Sequence, residues 1–269
     1  MHFSLLMATC HGDNPLYLKD ALASLFEQTV KPSEIVIVGD GPIPSENRLL
    51  IDELNAHFSV RFIPLKERVG LGGALRQGLT ACRYPLVARF DTDDICEPQR
   101  FETQLKYMES HQNVDVCGSY ATIVDESGII QGELQRPLDH ESICKIIWSC
   151  PVIHPSVMMR KERILGVGNY RSLLFDRQED YELWVRSVRN GIVFNNIPHR
   201  LIRYRRTGDA YHSRNSIVNG FGRLWYGLSA WFSYDRRPLS LLALIYPTVR
   251  PLLPRRLNNI FFGLDPREK

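Results

Sequence analysis

Residues 86–95 read Leu86-Val87-Ala88-Arg89-Phe90-Asp91-Thr92-Asp93-Asp94-Ile95, a mostly apolar run that ends in three carboxylates within four positions. Short apolar runs closed by polar residues are the pattern of strands buried on both faces, as in a parallel sheet. Open α/β sheets bind ligands outside the carboxyl ends of their strands, which is where these acids fall. Carboxylates this close repel one another unless a positive charge compensates them. Hard oxygen donors of this kind suit Mg²⁺ or Mn²⁺. The plain alternative is a solvated acidic loop leading into the next helix.

The rest of the chain repeats the strand-then-helix pattern. Residues 3–9 form an apolar run, and Asn14 followed by Pro15 is a helix-opening pair. Leu18, Leu22 and Leu25 give that helix its apolar stripe. A second strand covers 34–40 and ends in Asp40-Gly41. A helix is expected over 45–57, a strand over 60–65, and a helix opened by Gly70, Gly72 and Gly73 that runs to about residue 82. Strands alternating with helices predict an α/β fold with a mostly parallel central sheet, helices on both faces. Further on, a helix is expected to about residue 110, strands over 114–124 and 129–132, and a helix from the Asp139 cap through Trp148. A strand follows over 154–159, a helix over 178–189, and two short strands over 192–196 and 201–205.

Length and composition narrow the class. A chain of 269 residues with 44% hydrophobic and 23% charged residues is an ordinary globular protein with room for a large core. The N-terminus lacks a basic leader or long apolar segment and reads as a first strand. Six cysteines include no Cys-x-x-Cys pair, so they read as thiols in a reducing compartment, and the expected location is cytoplasmic. Charge is uneven. Residues 199–269 hold 13 Lys and Arg against 4 Asp and Glu, a surplus of 9 in a chain of net charge +3, so the remainder carries −6. Domains are expected at 1–215, divided into halves at 1–110 and 111–215, and at 216–269, a helical basic tail. That tail mixes Trp225, Trp231 and Phe232 with Arg223, Arg236, Arg237, Arg250, Arg255 and Arg256. It suits a membrane surface, on the inner face of the cytoplasmic membrane, or else a cap packed on the body or a dimer contact. Its apolar run is too short to span a bilayer.

Three features fall on one edge of the predicted sheet: Asp40, the glycine-opened helix and the acids after residue 90. A helix N-terminus can approach phosphates. Together they outline a nucleotide diphosphate held through a metal.

A series of short motifs runs through the N-terminal part, beginning with Ala8-Thr9, Ser24-Leu25 with Gln28-Thr29, and Glu34 to Val38 with Asp40-Gly41. Next come Gly70-Leu71 with Ala74-Leu75 and Gly78-Leu79, and Ala88-Arg89-Phe90-Asp91-Thr92-Asp93-Asp94-Ile95 with Pro98 and Arg100. His154 to Met158, Glu179-Asp180-Tyr181 with Leu183-Trp184, and Leu201 with Tyr204-Arg205 complete the series. The series spans residues 3–206 and resembles family 2 glycosyltransferases of the GT-A fold, most of all the bacterial enzymes that assemble exopolysaccharide, capsule or lipopolysaccharide. Arg76, where asparagine is common, and Pro42, where serine is frequent, depart from the pattern.

That resemblance implies a nucleotide-binding half over 1–110, an acceptor-binding half over 111–215, and roles for single residues. Asp40 reads the nucleotide base, with Thr9 beside it. Asp91 contacts ribose or the metal's water shell, Asp93 coordinates Mn²⁺ or Mg²⁺, and Asp94 supports that shell. Asp180 is the candidate base that takes the acceptor proton, with Glu179 the runner-up or its orienting partner. Trp184, at i+4 from Asp180, is an acceptor platform or a core tryptophan. His154 binds a sugar or is a buried structural histidine, and His212 is a third metal ligand or a surface residue. The implied activity is inverting, metal-dependent transfer of a sugar from a nucleotide-sugar donor, expected to be UDP-linked, to a lipid-linked or polymeric glycan acceptor. A non-catalytic sugar-nucleotide-binding protein and an aspartate-based phosphatase are the rivals. The phosphatase motif belongs on a first strand, whereas three strands precede it here. Nucleic-acid binding rests on the basic tail alone and is not expected; the oligomeric state is open.

Overall fold

The computed structural model describes residues 1–172, 178–207 and 217–249. Its centre is a nine-stranded sheet. Strand β1 (Phe3–Cys10) lies between β2 (Glu34–Asp40) and β4 (Leu86–Arg89), with β3 (Val60–Pro64) outside β2, and all four run parallel. The strand period of two sorts their side chains. Phe3, Leu5 and Met7 pack in one layer with α1 (Pro15–Phe26), α2 (Ser45–Leu54) and α4 (Arg100–Ser110). Leu6 and Val36 face the other layer, with α3 (Gly70–Ala81) and α7 (Glu179–Arg189). Asn14 opens α1 as its spacing predicts, its side chain accepting from the Leu16 N–H at 2.9 Å.

The second half makes the sheet mixed. β8 (Met158–Arg160) runs antiparallel between β4 and β6 (Val116–Val124), and β7 (Ile130–Leu134) is antiparallel to β6. β9 (Phe194–Arg205) is parallel to β6, and the short β5 (Ile95–Cys96) closes the edge against it. Several expectations change here. The strand predicted over 154–159 is a 3₁₀ turn, His154–Ser156, before β8, because Pro155 lacks the N–H a ladder needs. The helix from Asp139 ends at Lys145 as α5 (His140–Lys145), and a separate 3₁₀ turn, Ile147–Ser149, follows it. Lys161–Gly166 forms α6, which the periodicity did not signal. The two short strands near the C-terminal side are one, β9, and Ile197 and Arg200 oppose successive residues of β6, so the intervening residues bulge.

Beyond residue 216 the described chain is a helical hairpin, α8 (Ile217–Tyr234) and α9 (Pro238–Val249). Ala230, Ala243 and Leu244 join the core layer that holds α7. Trp148 Nε1 donates to Asp235 Oδ2 at 2.7 Å, and Arg223 donates to the Ser149 carbonyl at 3.1 Å. Among the described residues no helix is long and apolar enough to cross a membrane. Arg250, Arg255 and Arg256 lie outside the described residues, as does His212.

Candidate active site

β4 ends at Arg89, and the acids sit on the connection from β4 to β5. Carboxylate oxygens of Asp91, Asp93 and Asp94 all lie within 4.8 Å of one another. Two arginines hold them in place. Arg89 is buried and its guanidinium pairs with Asp91. Arg205, at the end of β9, grips the loop from the other side. Its backbone N–H donates to Asp94 Oδ1 at 2.9 Å and its Nε to the Asp93 carbonyl at 2.9 Å. The same guanidinium donates to the Glu126 carbonyl at 2.9 Å, pairs with Asp20 at 3.1 Å and lies over the Tyr17 ring at 4.4 Å. Thr92 is tied in turn. It donates to Asp13 Oδ2 at 3.0 Å, and Asp13 also accepts from the Cys10 N–H at 3.1 Å, so the loop is laced to the end of β1.

Asp94 bears the electrostatic cost. Burial, followed by the charges of Asp93 and Asp91, pushes its carboxyl well above the usual carboxylate range. Its Oδ2 is buried with no hydrogen-bond partner among the described residues. Converging oxygens, mutual repulsion and an unsatisfied buried oxygen fit a hard divalent cation.

On the nucleotide side, Thr9 stands beside Gly39 in register across β1 and β2, next to the Cys10–Asp40 pair. Asp40 is buried and its Oδ1 accepts from the Val69 N–H at 2.7 Å, just before α3. Thr9 is buried, and its hydroxyl has no partner among the described residues. The glycines of α3 have a use that their sequence did not reveal. A Cβ at Gly72 would collide with the Arg171 carbonyl and stand 3.0 Å from Glu179 Cβ, and one at Gly73 would stand 3.1 Å from Ser172 Oγ. These two glycines let the chain at 171–172 close over the start of α3. Gly70, at the opening where phosphate approach was expected, has nothing within 4 Å of where a Cβ would stand.

The acidic pair opens α7. Glu179 is buried, and burial followed by its neighbour Asp180 pushes its carboxyl up to about 7. Asp180 is half-buried, with Oδ1 accepting from the Tyr181 N–H at 2.7 Å and Oδ2 facing Cys150 Sγ at 3.8 Å. Cys150 reaches it from a left-handed turn, φ 57°, after the Ile147–Ser149 turn. Arg89 is paired with Asp91, and its charge also reaches Glu179 through space. Its charge favours ionised Glu179, while Asp91 opposes it. The buried Tyr170 hydroxyl is acted on by Arg89, Asp180, Glu179 and Asp91 together.

Two sequence expectations are corrected by packing. Trp184 is fully buried, edge-on to His154 (5.7 Å, 84°) and Phe194 (5.4 Å, 82°), so it offers no face to an acceptor. The i+4 spacing from Asp180 is real, but Tyr181, Leu183, Trp184 and Val185 are the buried side of α7, and Asp180 lies at its rim. His154 is buried too. Its Nε2 meets the Tyr170 hydroxyl at 2.7 Å, and burial, then Arg89, hold its pKa well below the usual histidine value, so it is a neutral structural residue. Arg89 and Arg205 entered the sequence reading only as members of the matching series, without a role, and Asp13, Tyr170 and Cys150 had none. Arg89 alone carried a signal, since a charge inside a buried apolar strand needs a buried partner.

Comparison with known proteins places the chain. Residues 4–167 match the family model described as Glycosyl transferase family 2. The amylovoran biosynthesis glycosyltransferase AmsE of Erwinia amylovora is 36% identical over 214 residues, covering 79% of both chains. An Escherichia coli enzyme named UDP-Gal:alpha-D-GlcNAc-diphosphoundecaprenol beta-1,3-galactosyltransferase is 34% identical over 216 residues, 80% of this chain and 78% of that one. Among solved structures, S. aureus TarS (residues 1–349) with UDP-GlcNAc superposes with TM-score 0.65 at 15% identity, covering all of this chain and 89% of TarS. The Pyrobaculum calidifontis mannosyltransferase PcManGT, solved with GDP-Man and Mn²⁺, gives 0.64 at 12% identity, covering 91% of this chain and 69% of that one. These two share the fold.

Proposed function

The chain belongs to glycosyl transferase family 2, and from that premise we propose that it moves a sugar, with inversion, from a UDP-linked donor to a hydroxyl of a lipid-linked or polymeric glycan in surface polysaccharide assembly. The observation that carries this reading is the convergence of Asp91, Asp93 and Asp94 at the end of β4, with the acidic pair of α7 close enough for Glu179 to feel the charges of Arg89 and Asp91. Support for the donor comes from TarS, solved with UDP-GlcNAc, and support for the acceptor from the diphosphoundecaprenol named for the E. coli relative.

Asp40 and Thr9 line the carboxyl end of β1 and β2, where the base of the nucleotide is read. Asp93 and Asp91 would hold Mn²⁺ or Mg²⁺, which would supply positive charge to offset that building on the departing diphosphate. The acceptor oxygen attacks the anomeric carbon as the bond from that carbon to the diphosphate oxygen breaks. The hydroxyl proton passes to Asp180, the half-buried member of the pair. Glu179, buried and holding its proton up to about pH 7, is poorly placed to accept one from solvent-borne substrate and orients the start of α7 instead. Attack from the face opposite the leaving group turns an α-linked donor into a β-linked product.

Calorimetric titration of UDP, GDP and CDP, with and without Mn²⁺, tests the donor site on wild type and Asp93→Ala. Metal-dependent UDP binding that vanishes in the variant is expected. A preference for GDP would change the donor class, and no nucleotide binding at all would remove the proposal.

A further inference from the structure

The C-terminal hairpin has two faces with different chemistry. The inner face of α8 is full. A Cβ at Gly220 would stand 2.6 Å from Thr248 Cα on α9, and one at Gly227 would collide with Leu244 and come within 2.5 Å of the Tyr181 hydroxyl. Arg223 lies 5.6 Å over the Tyr181 ring. The outer face is bare. Phe221, Trp225 and Phe232 recur on one side of α8 at helical spacing, and Trp225 is 72% exposed. Leu239, Leu242 and Val249 recur on one side of α9, also exposed. Scattered surface apolar residues are ordinary, but six on one hairpin, three of them aromatic, mark a contact surface.

We infer that this outer face docks on an anionic lipid surface, and that α8 thereby fixes the catalytic helix α7 relative to the membrane. Charge selects this occupant. Residues 217–249 carry three arginines, Arg223, Arg236 and Arg237, against one acid, Asp235, and Arg236 is exposed at the hairpin turn. The chain that continues from Val249 adds Arg250, Arg255 and Arg256 among Leu252, Leu253, Phe261 and Phe262. A second copy of this chain would bring the same positive charge to the contact, whereas anionic headgroups neutralise it. Aromatic rings beside arginines suit the headgroup boundary. The helix lies on the bilayer, since no described helix is long and apolar enough to cross one. Packing on the body and meeting a membrane are therefore not rival roles for this segment. Its small residues serve the first and its large apolar residues the second. The docking surface stands on its own observations, while its use, presenting Asp180 to a lipid-linked acceptor, rests on the function proposed above.

The full-length chain is tested by co-sedimentation with phosphatidylethanolamine vesicles carrying a quarter phosphatidylglycerol, and with neutral phosphatidylcholine vesicles. Wild type is expected to partition onto the anionic vesicles, less so at high salt. The double variant Trp225→Glu with Leu242→Glu should partition at least about tenfold more weakly. Leu16→Glu with Leu49→Glu, equally exposed on the body, should partition like wild type. Tryptophan emission should shift to the blue on the vesicles, and Trp225→Phe should lose that shift while still sedimenting. UDP titration reports separately on the donor site, so a failed transferase reading does not imitate failed docking. The proposal falls if wild type stays off anionic vesicles or if the double variant partitions as wild type does. It also falls if wild type is a dimer without lipid and the double variant a monomer, which would assign the face to a second copy.

Discussion

The carboxylates after β4 and the carboxylates at the start of α7 both feel the charge of Arg89, yet they are built in opposite ways. In the first group three acids are pressed together, and the loop is fixed by Arg205, Arg89 and Asp13. Repulsion is retained and its direction is set by backbone hydrogen bonds. The second group separates two adjacent acids by burial: Glu179 goes under α3 and Asp180 stays at the rim. A cluster that keeps its charges together is suited to a cation. A pair whose members differ in solvation is suited to a proton, because solvation sets which member is charged.

The largest expected effect separates these two tasks. Asp180→Asn should lower kcat by about 10²–10⁴ while metal-dependent UDP binding stays unchanged. Turnover and calorimetry on the same preparation check it, and lost UDP binding would erase the distinction between the groups. Trp184→Ala should destabilise the fold by about 3–5 kcal/mol in urea unfolding, as a fully buried tryptophan against Phe194 and His154 requires. A change confined to acceptor KM would return that residue to the surface.

Glu179 gives a pH signature. Its folded value of about 7 lies above the ordinary glutamate value of 4.5. Below the lower value it is protonated in both states and its contribution is fully present. As pH rises through this window the unfolded chain releases the proton first, so wild type loses stability, by about 3 kcal/mol at most, until the folded value is passed. Glu179→Gln should therefore gain on wild type in thermal unfolding between pH 5 and pH 8, and an equal gap at both pH values would contradict its burial as an acid. The smallest effect sharpens the cation side. Arg205→Lys keeps the charge but loses the fork that reaches Asp93, Glu126 and Asp20 together. Mn²⁺ affinity in the presence of UDP should fall about 10- to 100-fold, read by calorimetry. Unchanged affinity would mean that the loop holds itself.

Much of the parallel half was legible because its signals are local. A strand of alternating faces, the Asn14-Pro15 opening and acids directly after an apolar run each lie within a few residues of the structure they cause. Beyond β4 the locality weakens. β8 inserts antiparallel beside β4, and β9 passes through a bulge opposite Tyr120, both consequences of strand partners that lie far away in sequence. The roles of Trp184 and His154 were misplaced for the same reason. Helical spacing tells which residues share a side, but the neighbouring elements decide whether that side meets water or Phe194.

The amino-acid order by itself determined the alternation of strands and helices, the acidic end of β4, the acidic start of α7 and the basic, aromatic character of the C-terminal segment. Tertiary structure alone decided which acid is buried, which glycines are filled by protein, and that Arg205 and Asp13 steady a loop about 110 and 80 residues away from them. It also divided one hairpin into a packed face and an apolar face left in water. Backbone geometry and side-chain periodicity are properties of neighbours in sequence, whereas desolvation and charge pairing are properties of neighbours in space, and those become known only once the chain has closed on itself.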